Sequence, residues 1–253
     1  MIAPVTEAAA ELRVRRLTRA YGDLRVLDGI DLDVCSDQVL AVLGPSGCGK
    51  STLLRLLAGL EAPDGGAISL AGEPVRGPSP SRPMVVQGAT LFPWLSLRGN
   101  LEWGPRATSA ADPGAVADDL LDATGLTGFA EARPGQLSGG MRQRAAIAQV
   151  MANRPPVLLL DEPFGALDAQ TRLRMHEWLR HLLAERPTTV VLVTHDVDEA
   201  LLLGDRLALL SARPCRVLDT IEVPFDEERG RALLTEPDFV RLKAEVLERV
   251  LGS

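Results

Sequence analysis

Apolar and polar residues alternate along ELRVRRLTRAYG and again along VLDGIDLDV, and a period of two predicts two short strands near the start of the chain. QVLAVLG is an unbroken apolar strand that runs straight into GPSGCGKST, after which STLLRLLAGL takes up helical spacing until PDGG stops it. GAISLAGEPV predicts a hairpin-like pair with Gly72 and Pro74 at its turn, and MVVQ a strand ending at Gln87. From about 90 to 153 the pattern changes to helices joined by Gly/Pro turns; in DPGAVADDLLDATG, Pro113 opens a helix and Gly125 closes it. VLLL at 157–160 and TTVVLVTHD read as strands buried on both faces, with a helix around TRLRMHEWLRHLLAE between them. Strands alternating with helices predict an α/β fold with a parallel sheet. After about 215 a last hairpin-like stretch leads to EPDFVRLKAEVLERVL, where Phe239, Leu242, Val246 and Val250 share a helical face.

Composition narrows the class. The chain has 253 residues, 46% of them hydrophobic, enough for a sizeable core. A formal net charge of −7 argues against a partner bound through its phosphate backbone, so no nucleic acid is expected. Cys35, Cys48 and Cys215 stand far apart in sequence without metal-ligand spacing, which predicts neither a disulfide framework nor a zinc site and fits a reducing compartment. The first residues lack a signal-peptide pattern, and no apolar run approaches the length of a membrane span, so the chain is expected to be neither secreted nor membrane-spanning.

The chemistry is concentrated in glycine-rich and acidic motifs. GPSGCGKS fits G-x-x-x-x-G-K-[ST] and sits between a strand and a helix, as a phosphate loop must. Backbone N–H groups from Gly44, Pro45, Ser46, Gly47, Cys48, Gly49 and the helix start, proline excepted, form an anion nest; Lys50 reaches the β/γ-phosphates, and Ser51, followed by Thr52, offers a hydroxyl to Mg²⁺. Only two of the 27 basic residues are lysine, Lys50 and Lys243, so this chain places lysine where a compact charge is wanted. The buried strand VLLL ends in Asp161 and Glu162. On the strand-end edge Asp161 can reach the metal, and Glu162 can orient and polarise an attacking water.

In order, GPSGCGKST, VVQ with Gln87, LSGGM, LLLDEP, GALD and VTHD resemble the ATP-binding cassette ATPases over nearly the whole chain. The resemblance implies a P-loop NTPase with a RecA-like core and ATP and Mg²⁺ as cofactors. It also implies an N-terminal antiparallel β part and a helical insertion subdomain. It divides residues 11–233 into a nucleotide-binding core at about 11–89 and 155–215 and a helical subdomain at about 90–153, with a C-terminal helix at 234–253. It makes Gln87 a link between metal, γ-phosphate and helical insertion, with Gln87, Glu162 and His195 as catalytic residues. It puts Ser51, Gln87 and Asp161 at the metal, Tyr21 on the adenine ring, Asp168 across a dimer interface and His195 at the γ-phosphate.

Ser138 stands where a helix N-cap belongs, ahead of Gly139, Gly140 and Met141. The chain's own ATP already has a loop, so the client of Leu137–Met141 is the γ-phosphate of ATP on a second copy, in an ATP-dependent two-fold dimer. Met141 departs from the commonest signature, which has Gln there. In GATLFPWLSLRGNLEWG, Phe92 and Trp94 beside Pro93 predict an apolar socket for a partner, and Trp103 is assigned to the core of the helical part. In the family this region receives a membrane permease subunit. LRLLAGLE, LFPWLSL, GALDAQTR, THDVDEAL and LKAEVLERV resemble most closely the nitrate/sulfonate/taurine importer group. The implied protein is a peripheral ATPase on the cytoplasmic face of the cell membrane, docked on a permease that receives solute from a binding protein; aliphatic sulfonate is the first choice of solute, nitrate and taurine the alternatives. A cassette ATPase acting in translation or DNA repair is the rival, disfavoured because tandem cassettes and coiled-coil arms are lacking.

Overall fold

Val39–Leu43 (β3) is buried at every position, and its odd and even residues feed two different cores. The computed structural model describes residues 10–86, 88, 91–109, 112–225 and 229–251; Gln87, with its catalytic and metal roles, lies outside them. Around β3 lies a six-stranded sheet. Its other members are Met84–Val85 (β6), Val157–Asp161 (β7), Thr189–Thr194 (β8), Arg206–Leu210 (β9) and Val217–Glu222 (β10), in the order β10-β9-β3-β8-β7-β6. All neighbours are parallel except the β9–β10 pair. Successive side chains on a strand point to opposite faces. Val39, Ala41, Leu158, Leu160, Val190 and Leu192 therefore join the helical core, while Leu40, Val42, Leu159, Val191 and Val193 join a second core on the other face.

That second core is closed by a helix and another sheet. Lys50–Ala58 (α1) packs on β7 and β8, and its buried Leu53, Leu54, Leu56 and Leu57 meet the antiparallel sheet formed by Ala10–Tyr21 (β1), Leu24–Cys35 (β2), Gly65–Leu70 (β4) and Glu73–Pro74 (β5). On the opposite face sit Leu97–Ala107 (α2), Pro113–Ala123 (α3), Gly139–Met151 (α4), Ala169–Glu185 (α5), Val197–Leu203 (α6) and Pro237–Leu251 (α7). Phe239 and Val246 of α7 are fully buried there, with Leu242 and Val250 packed beside them, as the spacing predicted.

Four expectations are corrected. The first two strands are not short: each spans 12 residues, because a bulge at Arg15/Arg16, where Arg16 adopts φ 45, shifts the buried series from Leu12 and Val14 to Leu17 and lets pairing continue. The β4–β5 turn is Ala71–Gly72, both at positive φ, and Pro74 belongs to the edge strand, where its missing N–H costs no ladder bond. The last hairpin begins at Arg206; LLLGDRLALL holds the end of α6 and all of β9 in one apolar run, which periodicity alone cannot divide. Trp103 is 51% exposed and does not enter the helical core.

Candidate functional site

Five helices, α2 to α6, begin with a side chain that accepts a hydrogen bond from their first turn: Ser96, Asp112, Ser138, Asp168 and Asp196. α1 begins at Gly49 with no such cap. Its first N–H groups are thus left for an external acceptor, and with the helix dipole they make a site for a phosphate. The approach is shaped by glycine. Gly49 has φ 130, and a Cβ there would lie 2.8 Å from Val26 Cγ1; a Cβ on Gly44 would lie 2.9 Å from Leu210 Cβ. The Cys48 N–H closes the loop on the Pro45 carbonyl at 3.3 Å. Lys50 is buried at the mouth, with Nζ donating to the carbonyls of Gly44 at 2.7 Å and Pro45 at 3.0 Å.

Beside the loop, strand ends supply acids. Ser51 Oγ donates to Asp161 Oδ1 at 3.3 Å, a link that the β3-β8-β7 order makes possible by opening all three strands on one edge. Burial holds the Asp161 carboxyl above its ordinary value, and the neighbouring Glu162 charge adds to this against the Ser51 hydrogen bond. A partly buried carboxylate beside a hydroxyl is a donor set for a hard divalent cation that keeps waters and phosphate oxygens as further ligands. Glu162 turns off the strand at φ 44, in the sparsely populated left-handed region, with its N–H bonded to Val193 O at 2.9 Å. Its Oε1 lies 3.1 Å from His195 Nδ1.

Lys50, Ser51 and Glu162 line a cleft of about 350 Å³ whose other walls include Ser46, Gly47, Thr52, Tyr21 and Arg213; His195 lines another small pocket, which shares Glu162 with the cleft. Tyr21 is partly exposed; the Arg19 guanidinium lies 4.8 Å over its ring and its hydroxyl donates to Glu61 Oε2 at 2.5 Å, so one ring face and the hydroxyl are engaged. Arg213 carried no motif and was missed by sequence reasoning, although it is the added cation of the cleft. Arg172 was missed too: it donates to Asp196 at 3.0 Å and to the Leu167 carbonyl at 2.9 Å, tying the GALD loop to the THD loop. All three cysteines are free thiols, and the fold brings Cys48 and Cys215, far apart in sequence, together in one buried core with their side chains interacting.

The signature stands apart from this cleft. Ser138 Oγ accepts the Met141 N–H at 3.3 Å and caps α4, while Arg142 holds the Leu137 carbonyl. Ser138, Gly140 and Met141 line a separate cavity of about 270 Å³ with Arg144, Arg174 and Trp178, and none of these residues lines the phosphate cleft. Gly139 is the first residue of α4. Asp168 caps α5 by accepting the Thr171 N–H at 3.0 Å, which holds its carboxyl below the ordinary range. The aromatic turn is a cluster: Phe92 lies 5.5 Å from Trp94 and 5.1 Å from Trp103, ring centre to ring centre, and Trp94 is 65% exposed.

An uncapped helix behind a glycine loop, a lysine, a hydroxyl–carboxylate pair and a second carboxylate define a P-loop nucleoside triphosphatase. A family model described as "ABC transporter" matches residues 27–165. The chain belongs to this family of ATP-binding cassettes and is an ATPase. It is 46% identical over 233 residues to a taurine import ATP-binding protein of Jannaschia sp. (strain CCS1), covering 91% of this chain and 87% of that protein. A nitrate import ATP-binding protein of Synechococcus elongatus is 41% identical, covering 90% and 85%. Among solved structures, a dimeric bacterial ABC transporter cassette matches at 28% identity with a TM-score of 0.72, over 85% of this chain and 100% of the other. A post-hydrolysis cassette dimer bound to ADP and Pi matches at a TM-score of 0.71, 28% identity and the same coverage.

Proposed function

We propose that this chain is the energy-coupling subunit of an importer for a small oxyanion, with aliphatic sulfonates as the first choice of solute. The observation that carries the reading is the separation of the Ser138 cavity from the Lys50 cleft: one chain holds two halves of a phosphate site that do not face each other. A second copy supplies the missing half to each. In this dimer the Lys50 ammonium and the free N–H groups of α1 hold the β- and γ-phosphates, and the Ser138 cap with the Gly139 and Gly140 amides closes on the γ-phosphate of the partner's ATP. Ser51 and Asp161 would hold Mg²⁺, which when bound would offset charge on the transferred phosphoryl group. Glu162 accepts a proton from the attacking water and orients it, while His195, on Glu162 through Nδ1, keeps the carboxylate aimed and contacts the γ-phosphate. Tyr21 stacks on adenine through its free face, and Asp168 bears on the partner. Cleavage severs the bridge between loop and signature, and the dimer opens.

The segments 11–89 and 155–215 hold the nucleotide, and 90–153 carries the motion to a membrane permease at Phe92, Trp94 and, by its exposure beside them, Trp103. Among the described residues no helix is long and apolar enough to cross a membrane. The same reading makes the permease a separate chain, with this subunit peripheral on the cytoplasmic face. A binding protein delivers solute to that permease from outside. The taurine import relative supports a sulfonate, taurine being an aminosulfonate, and the nitrate import relative supports nitrate as the second solute. The test is growth of a strain lacking the gene, complemented with the wild type or with Glu162→Gln. Failure on taurine and alkanesulfonates as sole sulfur source, rescued only by the wild type, is expected; failure confined to nitrate as nitrogen source would replace sulfonate by nitrate, and rescue by Glu162→Gln would remove Glu162 from hydrolysis.

A further inference from the structure

We propose that Cys48 and Cys215 form a reversible disulfide that disables the phosphate loop. The thiols are in hydrogen-bonding contact and both are buried, at 2% and 0% exposure. They share the core beneath the loop, which does not contain Cys35. Backbone pairing sets this proximity. The Cys215 N–H donates to Val26 O at 2.8 Å and its carbonyl accepts the Asp28 N–H at 3.0 Å, so Cys215 is laced to β2 from both sides. Val26 in turn abuts Gly49, the neighbour of Cys48, at 2.8 Å from the place of a Cβ, and Cys48 Sγ lies 3.3 Å from the corresponding point on Gly44.

The environment decides which sulfur reacts first. The thiolate is the nucleophile. The hydrogen bond from the Cys215 thiol brings Cys48 down to about 6, with the Lys50 ammonium assisting and burial opposing; the same bond and burial push Cys215 up. With a hydroperoxide as oxidant, the Cys48 thiolate attacks one oxygen of hydrogen peroxide, the O–O bond breaks, and the hydroxide that leaves takes up the thiol's former proton as water. Cys48 is then a sulfenic acid. The Cys215 sulfur attacks it, the S–O bond breaks, and a second water carries away the oxygen and the Cys215 proton. Two thiols lose two electrons in all, and one peroxide becomes two waters.

A disulfide needs its sulfurs at about 2.05 Å, well inside the separation of two hydrogen-bonded thiols, so one side must move. Cys215 is held by two backbone bonds, whereas Cys48 lies between Gly47 at φ 75 and Gly49 at φ 130, two residues free to change conformation. The loop therefore yields, the Cys48 N–H gives up the Pro45 carbonyl that closes the loop, and the Gly49 amide leaves the phosphate position. This effect on ATP rests on the nucleotide reading of the loop; the bond itself does not.

The test uses the full reduced chain treated with graded hydrogen peroxide, alkylated under denaturing conditions and digested for mass spectrometry, with ATP affinity measured in parallel. The expected result is a linked peptide containing Cys48 and Cys215, at least a tenfold loss of ATP affinity, and recovery of both with dithiothreitol. Cys35→Ser should respond like the wild type. Cys215→Ser, or Cys215→Ala if the serine variant folds poorly, should bind ATP as the reduced wild type does and give no linked peptide. Absence of the linked peptide in the wild type, or its presence with ATP affinity unchanged within twofold, overturns the proposal. A reduced wild type that forms the linked peptide yet never bound ATP overturns the nucleotide reading and the disabling effect with it.

Discussion

Asp161 carries the clearest electrostatic consequence at the residue scale. Its pKa is raised above 3.8, first by burial and then by the charge of Glu162, with Ser51, Arg55 and Lys50 pulling the other way. The folded chain therefore holds this proton to higher pH than the unfolded chain does. As pH rises from 3.8 through the raised value, the unfolded state releases the proton first and stability falls; above that window the penalty is fully present. Asp161→Asn should accordingly melt higher than the wild type in nucleotide-free buffer at pH 8, with the gap closing below pH 3.8, while ATPase activity is lost. Scanning fluorimetry across pH checks the sign, and a variant that melts lower at pH 8 would refute the burial argument. The types of residue at the site were legible because loop, acid and histidine stand in fixed motifs. Arg213 and Arg172 were not, since each acts through a contact made across the fold.

Elements set the aim of the aromatic turn. Asn100, on α2, is fully buried; its Oδ1 accepts the Phe92 N–H at 2.7 Å and Gln149 Nε2 at 3.1 Å, and its Nδ2 donates to Ser96 O at 2.9 Å. Asn100→Ala strips partners from groups on three segments, which should cost about 1–3 kcal/mol. Urea denaturation followed by tryptophan fluorescence measures it, with altered emission expected because Trp94 rides on this turn and Trp103, on α2, packs against its Phe92. A loss under about 0.5 kcal/mol would mean that the turn is held by other bonds. Helix starts were readable here: Ser138 and Pro113 stand where their chemistry put them. Trp103 was misplaced because helical spacing gives the face of α2 but not what lies against that face.

For the whole molecule, the two separated clefts predict complementation between broken chains. In the proposed shared site Lys50→Ala would remove the cation that reaches the phosphates and Ser138→Arg would block the signature; a mixed dimer would join the intact loop of one to the intact signature of the other. Random mixing in equal amounts makes about half of the dimers mixed, each with one sound site of two, so ATPase activity should return to about a quarter of wild type. Each variant alone should stay near background. A mixture no better than its parts would exclude the shared site.

Periodicity, glycine placement and motif order determined the α/β class, the phosphate loop, the acidic strand end and the capped signature helix, because each is a local property of consecutive residues. The bulge that lengthens β1, the strand β9 hidden in an apolar run, the Ser51–Asp161 link and the separation of the two clefts belong to the tertiary structure. So does the meeting of Cys48 with Cys215. Strand order sets these distances, and it is decided by which faces bury most apolar surface together; in sequence the partners stand too far apart for any local pattern to register.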